Sequence, residues 1–202
     1  MFMKRALLRT WARAKIQGME NLSSFLLIAW RYKMGVFLFA AAVSVLVAFW
    51  DFAKQLLIMA LFIALGIASM YYMKYIRFPL GFELNMLGMV IVGKLYGGLA
   101  AVIVGCITLF IAELITERLT HSTIVSFFGI IIAGMLLPTF PATWSITVLG
   151  IVTVIIYDAI IIPLYIGFGS SVARSLIFLA THIIFNVWVF VFVAPKVFGI
   201  FG

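Results

Sequence analysis

The sequence predicts an all-α, polytopic transmembrane helical bundle of six to seven membrane helices. Seven long apolar stretches fill almost everything after residue 33, and 66% of all residues are hydrophobic while only 10% are charged. A helix needs about 20 apolar residues to cross the hydrocarbon core of a bilayer. The stretches are continuously apolar instead of alternating, which favours helices over the strands of a membrane barrel. This composition excludes a water-soluble domain.

The apolar stretches also predict the domain organisation. Short polar connections separate them at residues 51–54, 74–79, 117–122, 138–143 and 167–171, so sequence neighbours should pack as antiparallel pairs. We expect a basic N-terminal segment, residues 1–33, and one transmembrane domain, residues 34–202. The predicted membrane segments are residues 34–50, 55–73, 80–93, 98–116, 123–137, 144–166 and 174–194. The third is short for a crossing, at roughly 21 Å.

The net charge of +8 is concentrated at the N-terminus. Seven of the fourteen Lys and Arg residues precede residue 34, which is typical of a cytoplasmic flank that binds anionic lipid. Leu7, Leu8 and Trp11 fall near one face of this segment, so it should form an amphipathic interfacial helix. We expect a multi-pass protein of the cell membrane, with a cytoplasmic N-terminus and the lipid bilayer, not nucleic acid, as its partner.

Two topologies satisfy the bias of positive charge toward the inside. If all seven segments cross, eleven basic residues lie inside and three outside, and Gly202 is outside. If residues 34–50 do not cross, ten lie inside and four outside, and Gly202 is inside. The charge count alone favours seven crossings. Seven basic residues change side between the two topologies. With seven crossings the outside residues are Lys54, Lys94 and Lys196; with six crossings they are Lys74, Arg77, Arg118 and Arg174.

Polar residues deep in the apolar segments are the candidate functional residues, because each is costly in a membrane. Asp158 and His182 lie near the middle of consecutive segments, roughly 14 and 17 Å from the connecting turn. We therefore predict that they share a buried hydrogen bond and that Asn186, one turn further, extends the same polar face. Glu83 and Asn85 open the short third segment. These five residues would line a ligand cavity or lock helices together.

Small residues at a spacing of four indicate close helix packing. The longest uninterrupted stripe is Ala60, Ala64 and Ala68. It would contact another helix, either of this chain or of a partner subunit. Metal-ligand spacings such as CxxC or HExxH and phosphate-binding loops are missing from the sequence, so we expect neither a metal, nor a cofactor, nor enzymatic activity.

The order of these features resembles the substrate-binding S components of energy-coupling-factor transporters and the related rod-shape-determining membrane proteins. The alanine stripe is followed by a short glycine-bearing helix with Gly88 and Gly93, the turn of residues 94–98, a small-residue helix and a final helix with Asn186. The resemblance covers roughly residues 55–196. It implies a six-helix fold, a pocket for a small-molecule substrate near the outer face, and contact of Ala60, Ala64 and Ala68 with a coupling subunit that works with ATPase subunits.

A second resemblance is to CAAX-type intramembrane proteases. Residues 178–186 match the FxxxH and HxxxN patterns of that family through Phe178, His182 and Asn186. Glu113 and Arg118 are similar to its EExxxR element, although Leu114 occupies the second glutamate position. A third interpretation is a non-catalytic structural or scaffold subunit of a larger membrane or envelope assembly. We favour the S-component-like interpretation over the scaffold, and both over the protease.

Overall fold

The computed structural model describes the backbone of residues 2–76, 78 and 80–201, and the side chains of residues 30–201 apart from those of Arg77, Pro79 and His121. All regular structure in this part of the chain is helical, which confirms the predicted all-α class. Short 3-10 turns at Tyr71–Lys74 and Leu137–Thr139 and a π-helical turn at Val189–Val193 complete the set. The helices are α1 (Phe2–Met70), α2 (Asn85–Tyr96), α3 (Gly98–Thr116), α4 (His121–Leu136), α5 (Ile146–Gly167), α6 (Val172–Trp188) and α7 (Ala194–Phe201).

Five helical stretches of the described chain are long and apolar enough to cross a membrane. They are Trp30–Lys74, Gly98–Thr116, Ser122–Thr139, Ile146–Gly167 and Val172–Phe201. Asn85–Tyr96 is apolar but shorter. The lengths and the composition of these helices are those of a membrane protein, as the sequence predicted.

The chain divides into two compact units, Met1–Ala53 and Lys54–Gly202. In the first unit every side chain described from Trp30 to Phe52 is exposed. The predicted turn at residues 51–54 is wrong, because the backbone is helical at every residue from Phe2 to Met70. Asp51 and Lys54 are polar but compatible with a helix, and no glycine or proline accompanies them. The predicted amphipathic face of residues 1–33 lies largely outside the described side chains.

In the second unit, the last part of α1 buries one face and exposes the other. Ile58, Met59, Phe62 and Met70 are buried. Phe62 contacts Gly88 of α2 and the Phe201 ring of α7, and Gly66 lies against Thr108 of α3. Ala60, Ala64 and Ala68 lie on the exposed face. Packing of this alanine stripe inside the chain is therefore excluded for the described residues, and its contact with a partner subunit stays a prediction.

The short third segment lies in the centre of the second unit. Residues 85–93 of α2 are all buried, and α2 contacts α3, α4, α5 and α7. The prediction of a helix from residue 80 is wrong, because α2 begins only at Asn85 and residues 80–83 have no regular structure. Non-helical backbone at membrane depth is stable when protein surrounds it. The segment therefore stops partway inside the bundle, which was one of the ways to accommodate its short length.

Tight turns arrange the remaining helices antiparallel. Gly97 connects α2 to α3 with a φ of 93°, a backbone conformation that residues with a side chain rarely adopt. Lys94 at this turn donates hydrogen bonds to the carbonyls of Ala142 and Trp144, between α4 and α5. Arg118, after α3, donates to the carbonyl of Ile76. We call these two ends of the second unit the Lys94 end and the Arg118 end.

A π-helical turn at Val189–Val193 lies between α6 and α7. It buries Val189 and Phe190 fully. The Phe190 ring packs directly on Gly150 of α5, where a Cβ atom would overlap it. The Thr147 hydroxyl donates a hydrogen bond of 2.8 Å to the Phe190 carbonyl. The turn is thus fitted to α5 on both its backbone and its side chain.

Candidate functional site: a buried histidine cluster below a polar cavity

His182 of α6 lies between two carboxylates in the interior of the second unit. Its Nδ1 atom is 2.8 Å from Oδ1 and 3.0 Å from Oδ2 of Asp158 on α5. Its Nε2 atom is 3.5 Å from Oε1 of Glu83, an ion-pair separation longer than an ordinary hydrogen bond. The exposed fractions are 0% for His182, 1% for Asp158 and 5% for Glu83. The predicted Asp158–His182 hydrogen bond is confirmed, and we call these three residues the histidine cluster.

Aromatic rings fix the orientation of the imidazole. The Phe178 ring stacks on it, with centroids 5.1 Å apart and an interplanar angle of 15°. The Tyr157 ring is tilted against it at 5.7 Å. Phe178 precedes His182 by about one helical turn, so both side chains project from the same face of α6. The imidazole plane therefore points its two nitrogens toward α5 and toward the segment before α2.

Glu83 reaches the cluster because the backbone before α2 is not helical. The N–H of Gly81 donates to Oγ1 of Thr181 at 2.9 Å, and the N–H of Leu84 donates to Oγ of Ser69 at 2.8 Å. The Tyr72 hydroxyl donates to the carbonyl of Leu80 at 2.5 Å. Side chains of three neighbouring segments thus replace the hydrogen bonds that a helix would have made, as buried backbone requires.

The absence of a side chain at Gly81 lets this segment approach α6. A Cβ atom at Gly81 would lie 2.5 Å from the Cα atom and 2.7 Å from the backbone nitrogen of His182. No real Cβ atom makes such contacts with backbone, so any larger residue would push the segment away from α6. Glu83 and His182 would separate with it.

Both predicted asparagines are buried near the cluster. Asn186 is 1% exposed, and its Nδ2 donates to the His182 carbonyl at 3.0 Å. Asn85 is 2% exposed, and its Nδ2 donates to the Gly105 carbonyl of α3 at 3.3 Å. Among the described residues neither Oδ1 atom has a hydrogen-bond partner. All five polar residues singled out from the sequence are thus inside the bundle, and a ligand-binding role for them stays a prediction.

The geometry of the cluster suits a proton better than a metal ion. Its carboxylates lie on opposite ring nitrogens and do not converge on one point. No group of three His, Cys, Asp or Glu in the described part of the chain is arranged to bind a metal ion. A neutral imidazole donates one hydrogen bond, whereas an imidazolium donates from both nitrogens. A protonated ring would donate to Asp158 and direct its Nε2–H toward Glu83 across 3.5 Å, a separation at which Nε2 makes no hydrogen bond among the described residues.

A cavity of about 430 Å³ lies at the Arg118 end. Its volume is in the range of small-molecule sites. Four charged residues, several hydroxyl groups and a few apolar side chains line it. They are Glu113, Glu117, Arg118 and Arg174, then Thr120, Ser122, Tyr165, Ser170 and Ser175, then Met73, Leu80 and Phe178.

The cavity adjoins the histidine cluster through Phe178 and Leu80. Phe178 lines the cavity and stacks on His182 with its ring. Leu80 also lines it and precedes Gly81, whose backbone contacts that of His182. Tyr165 packs edge-on to Phe178 at 6.3 Å, and its hydroxyl lies 2.5 Å from that of Ser126. An occupant of the cavity would therefore touch side chains that contact the cluster.

Sequence analysis missed most of this cavity. Glu113 and Arg118 resemble a protease element, and the charge count places Arg118 and Arg174 on the same side of the membrane. Neither observation predicts a cavity, and Glu117 and Ser175 carry no prediction. One signal was available: alternating crossings bring the turns after α3 and α5 to the same end of the bundle. The polar residues of those turns could thus have been grouped before the structure was known.

No family model, no curated protein and no solved structure matches this chain. Its function must therefore be inferred from the chemistry of the cavity and the histidine cluster. Both lie entirely in the second unit.

We predict that Asp158→Asn and His182→Gln each lower the free energy of unfolding. Removing one partner of a buried ion pair costs about 3–5 kcal/mol, because the other is left without compensation. The double variant should lose less than the sum of the two single variants, since it removes both members of the pair. Unfolding in lipid nanodiscs, followed by tryptophan fluorescence, measures all three.

The matched control for this prediction is Asp51→Asn, which changes the same chemical group at an exposed position. It should change stability by less than about 0.5 kcal/mol. Strict additivity of the two single substitutions would show that Asp158 and His182 do not interact.

Proposed function

We propose that this chain is the solute-capturing membrane subunit of an uptake system, similar to an S component, and that it works with separate coupling and ATPase subunits. The observation that carries the proposal is the cavity at the Arg118 end. Its volume is in the range of small-molecule sites, and nine of its twelve lining residues are polar or charged, while Met73, Leu80 and Phe178 supply the apolar surface. The chain itself is proposed to have no catalytic activity.

The histidine cluster supports the proposal by its position. Ionisable residues inside a membrane bundle are costly and generally mark a substrate or ion pathway. Phe178 is the direct connection here, because it lines the cavity and stacks on His182. We assign Asp158, His182 and Glu83 a role in setting the shape of the cavity floor, with Asn85 and Asn186 as buried neighbours of that floor.

Uptake requires the cavity to open toward the outside. With a cytoplasmic basic tail, this orientation corresponds to six crossings, with Gly202 inside. Seven crossings needed a turn at residues 51–54, and the backbone there is helical. The six proposed crossings are the later part of α1, the short segment with α2, then α3, α4, α5, and α6 with α7.

A scaffold subunit is the second candidate. The exposed alanine stripe favours it, as do the exposed side chains from Trp30 to Phe52, because both offer apolar helix surface to other membrane proteins. The two candidates differ in their partners. Purification in mild detergent should recover a pair of ATPases if the chain serves uptake, and envelope-assembly proteins if it is a scaffold.

We predict that Ser170→Trp abolishes solute capture, because Ser170 lies in the turn that lines the cavity and an indole there would fill it. The chain in nanodiscs is equilibrated with the dialysable fraction of yeast extract, washed and denatured, and the released solutes are identified by mass spectrometry. The wild type should release a solute that empty nanodiscs do not retain.

The matched control for solute capture is Thr143→Trp, which adds the same side chain to an exposed turn at the Lys94 end. It should release as much solute as the wild type, while Ser170→Trp releases at least about tenfold less. Equal release by both variants, or no release above empty nanodiscs, would contradict a capture function.

We predict that Ala64→Leu leaves the stability of the isolated chain unchanged and weakens recovery of the coupling subunit. Ala64 is exposed, so the larger side chain meets no other part of this chain. It would separate two helix backbones that approach closely along the alanine stripe. The measurement is the amount of partner recovered with the tagged chain.

The control for the alanine stripe is Leu65→Phe, which adds volume at a neighbouring exposed position outside the stripe. It should leave recovery of the partner unchanged. Full recovery with Ala64→Leu would mean that the stripe faces lipid.

Orientation is tested with a cysteine introduced at Gly202 in a Cys106→Ala background. Six crossings place this cysteine inside, where an impermeant thiol reagent cannot label it in intact cells. Labelling without permeabilisation would instead support seven crossings and a cavity that faces the cytoplasm. Labelling after permeabilisation is the positive control.

A further inference from the structure

The charges that line the cavity are balanced and are not paired with one another. Two glutamates, Glu113 and Glu117, and two arginines, Arg118 and Arg174, line the same space. Among the described residues neither arginine has a carboxylate oxygen within 4.0 Å of its side-chain nitrogens. Glu117 and Arg174 are exposed, and Arg118 donates a hydrogen bond to the Ile76 carbonyl instead of to a carboxylate. Both signs of charge therefore remain for an occupant.

One wall of the cavity is built for an oxyanion. Ser171 caps the N-terminus of α6 by accepting a hydrogen bond from the Arg174 N–H at 3.3 Å. The N-terminal end of a helix carries partial positive charge and attracts anions. Arg174, in this first turn, adds a guanidinium that binds carboxylate or phosphate in a bidentate manner.

A buried serine in the same wall has an unused hydrogen-bonding group. Ser175 is 4% exposed and lines the cavity. Its Oγ atom has no hydrogen-bond partner among the described residues. A buried hydroxyl without a partner is unfavourable, and most buried polar groups in proteins are paired. A ligand atom in the cavity would supply the missing partner.

The residues at the end of α3 supply the negative charge of the cavity lining, beside Arg118. α3 ends at Thr116, and the C-terminal end of a helix carries partial negative charge. Glu113 and Glu117 project from this end, and the Thr123 hydroxyl donates a hydrogen bond to one carboxylate oxygen of Glu113. That bond orients Glu113 and leaves its other oxygen for a further donor.

We propose that the cavity binds a zwitterionic solute with an oxyanion group and an ammonium group joined by an apolar body. The oxyanion binds at the N-terminus of α6 with Arg174 and Ser175, and the ammonium binds between Glu113 and Glu117. The apolar body packs on Leu80 and Phe178 at the floor. This inference rests on the proposed capture function and specifies its substrate class.

The experiment separates the dialysable fraction of yeast extract by ion exchange at neutral pH into anionic, cationic and unretained pools. Cation exchange at low pH, which retains solutes with an ammonium group, divides the unretained pool into zwitterionic and neutral pools, and all four are used at equal ionic strength. Each pool is added to the full chain in nanodiscs, and the shift in the thermal unfolding midpoint is measured. The zwitterionic pool should raise the midpoint, and the other three should not. Arg174→Gln and Glu117→Gln should each remove at least nine-tenths of that shift.

The matched control is Lys196→Gln, an exposed charge on α7 that lies outside the cavity, which should keep the full shift. Stabilisation by the anionic, cationic or neutral pool alone would overturn the zwitterion and leave the capture function standing. The same holds if Glu117→Gln keeps the shift while Arg174→Gln loses it, because the solute is then only an anion. Failure of every pool to shift the midpoint would overturn both proposals.

Discussion

The second unit is organised around one electrostatic constraint: charged groups removed from water need partners of opposite charge or hydrogen bonds. Asp158 and Glu83 are both buried, and His182 is the residue that lies between them. Through these contacts, α5 and the segment before α2 are both held against α6 at the level of His182. The close contact of Gly81 with the His182 backbone is part of the same arrangement, because it brings the segment that carries Glu83 against α6.

Because the segment before α2 is not helical, its backbone lacks the hydrogen bonds of a helix, and side-chain hydroxyl groups replace them. Residues 80–83 leave the helical conformation where Gly81 packs against α6, so their backbone polar groups need local partners. Thr181, Ser69 and Tyr72 supply them from three neighbouring segments. The same departure from helix brings Leu80 to the cavity wall. Cluster and cavity are thus two results of one broken segment.

Hydropathy predicts a helix correctly where polar or glycine residues at both ends of an apolar stretch also end the helix. The segment predicted at residues 98–116 coincides with α3, and the pairing of Asp158 with His182 followed from counting along two helices joined by a short turn. Two features were not predictable in this way. The polarity of Asp51 and Lys54 predicts a turn, although both residues fit in a helix. The contact of Glu83 with His182 joins residues far apart in sequence, and no local pattern encodes it.

The π-helical turn at Val189–Val193 has a consequence for how this chain tolerates changes of length. A π turn accommodates one extra residue within a helix and rotates everything after it by roughly 100° relative to an uninterrupted α-helix. The buried faces of α6 and α7 therefore depend on a register offset that is located in this turn. A deletion of one residue here would restore α-helical geometry and turn Phe201 away from Phe62, its aromatic neighbour in α1. Length is thus as strictly determined at this turn as residue identity is at the buried histidine.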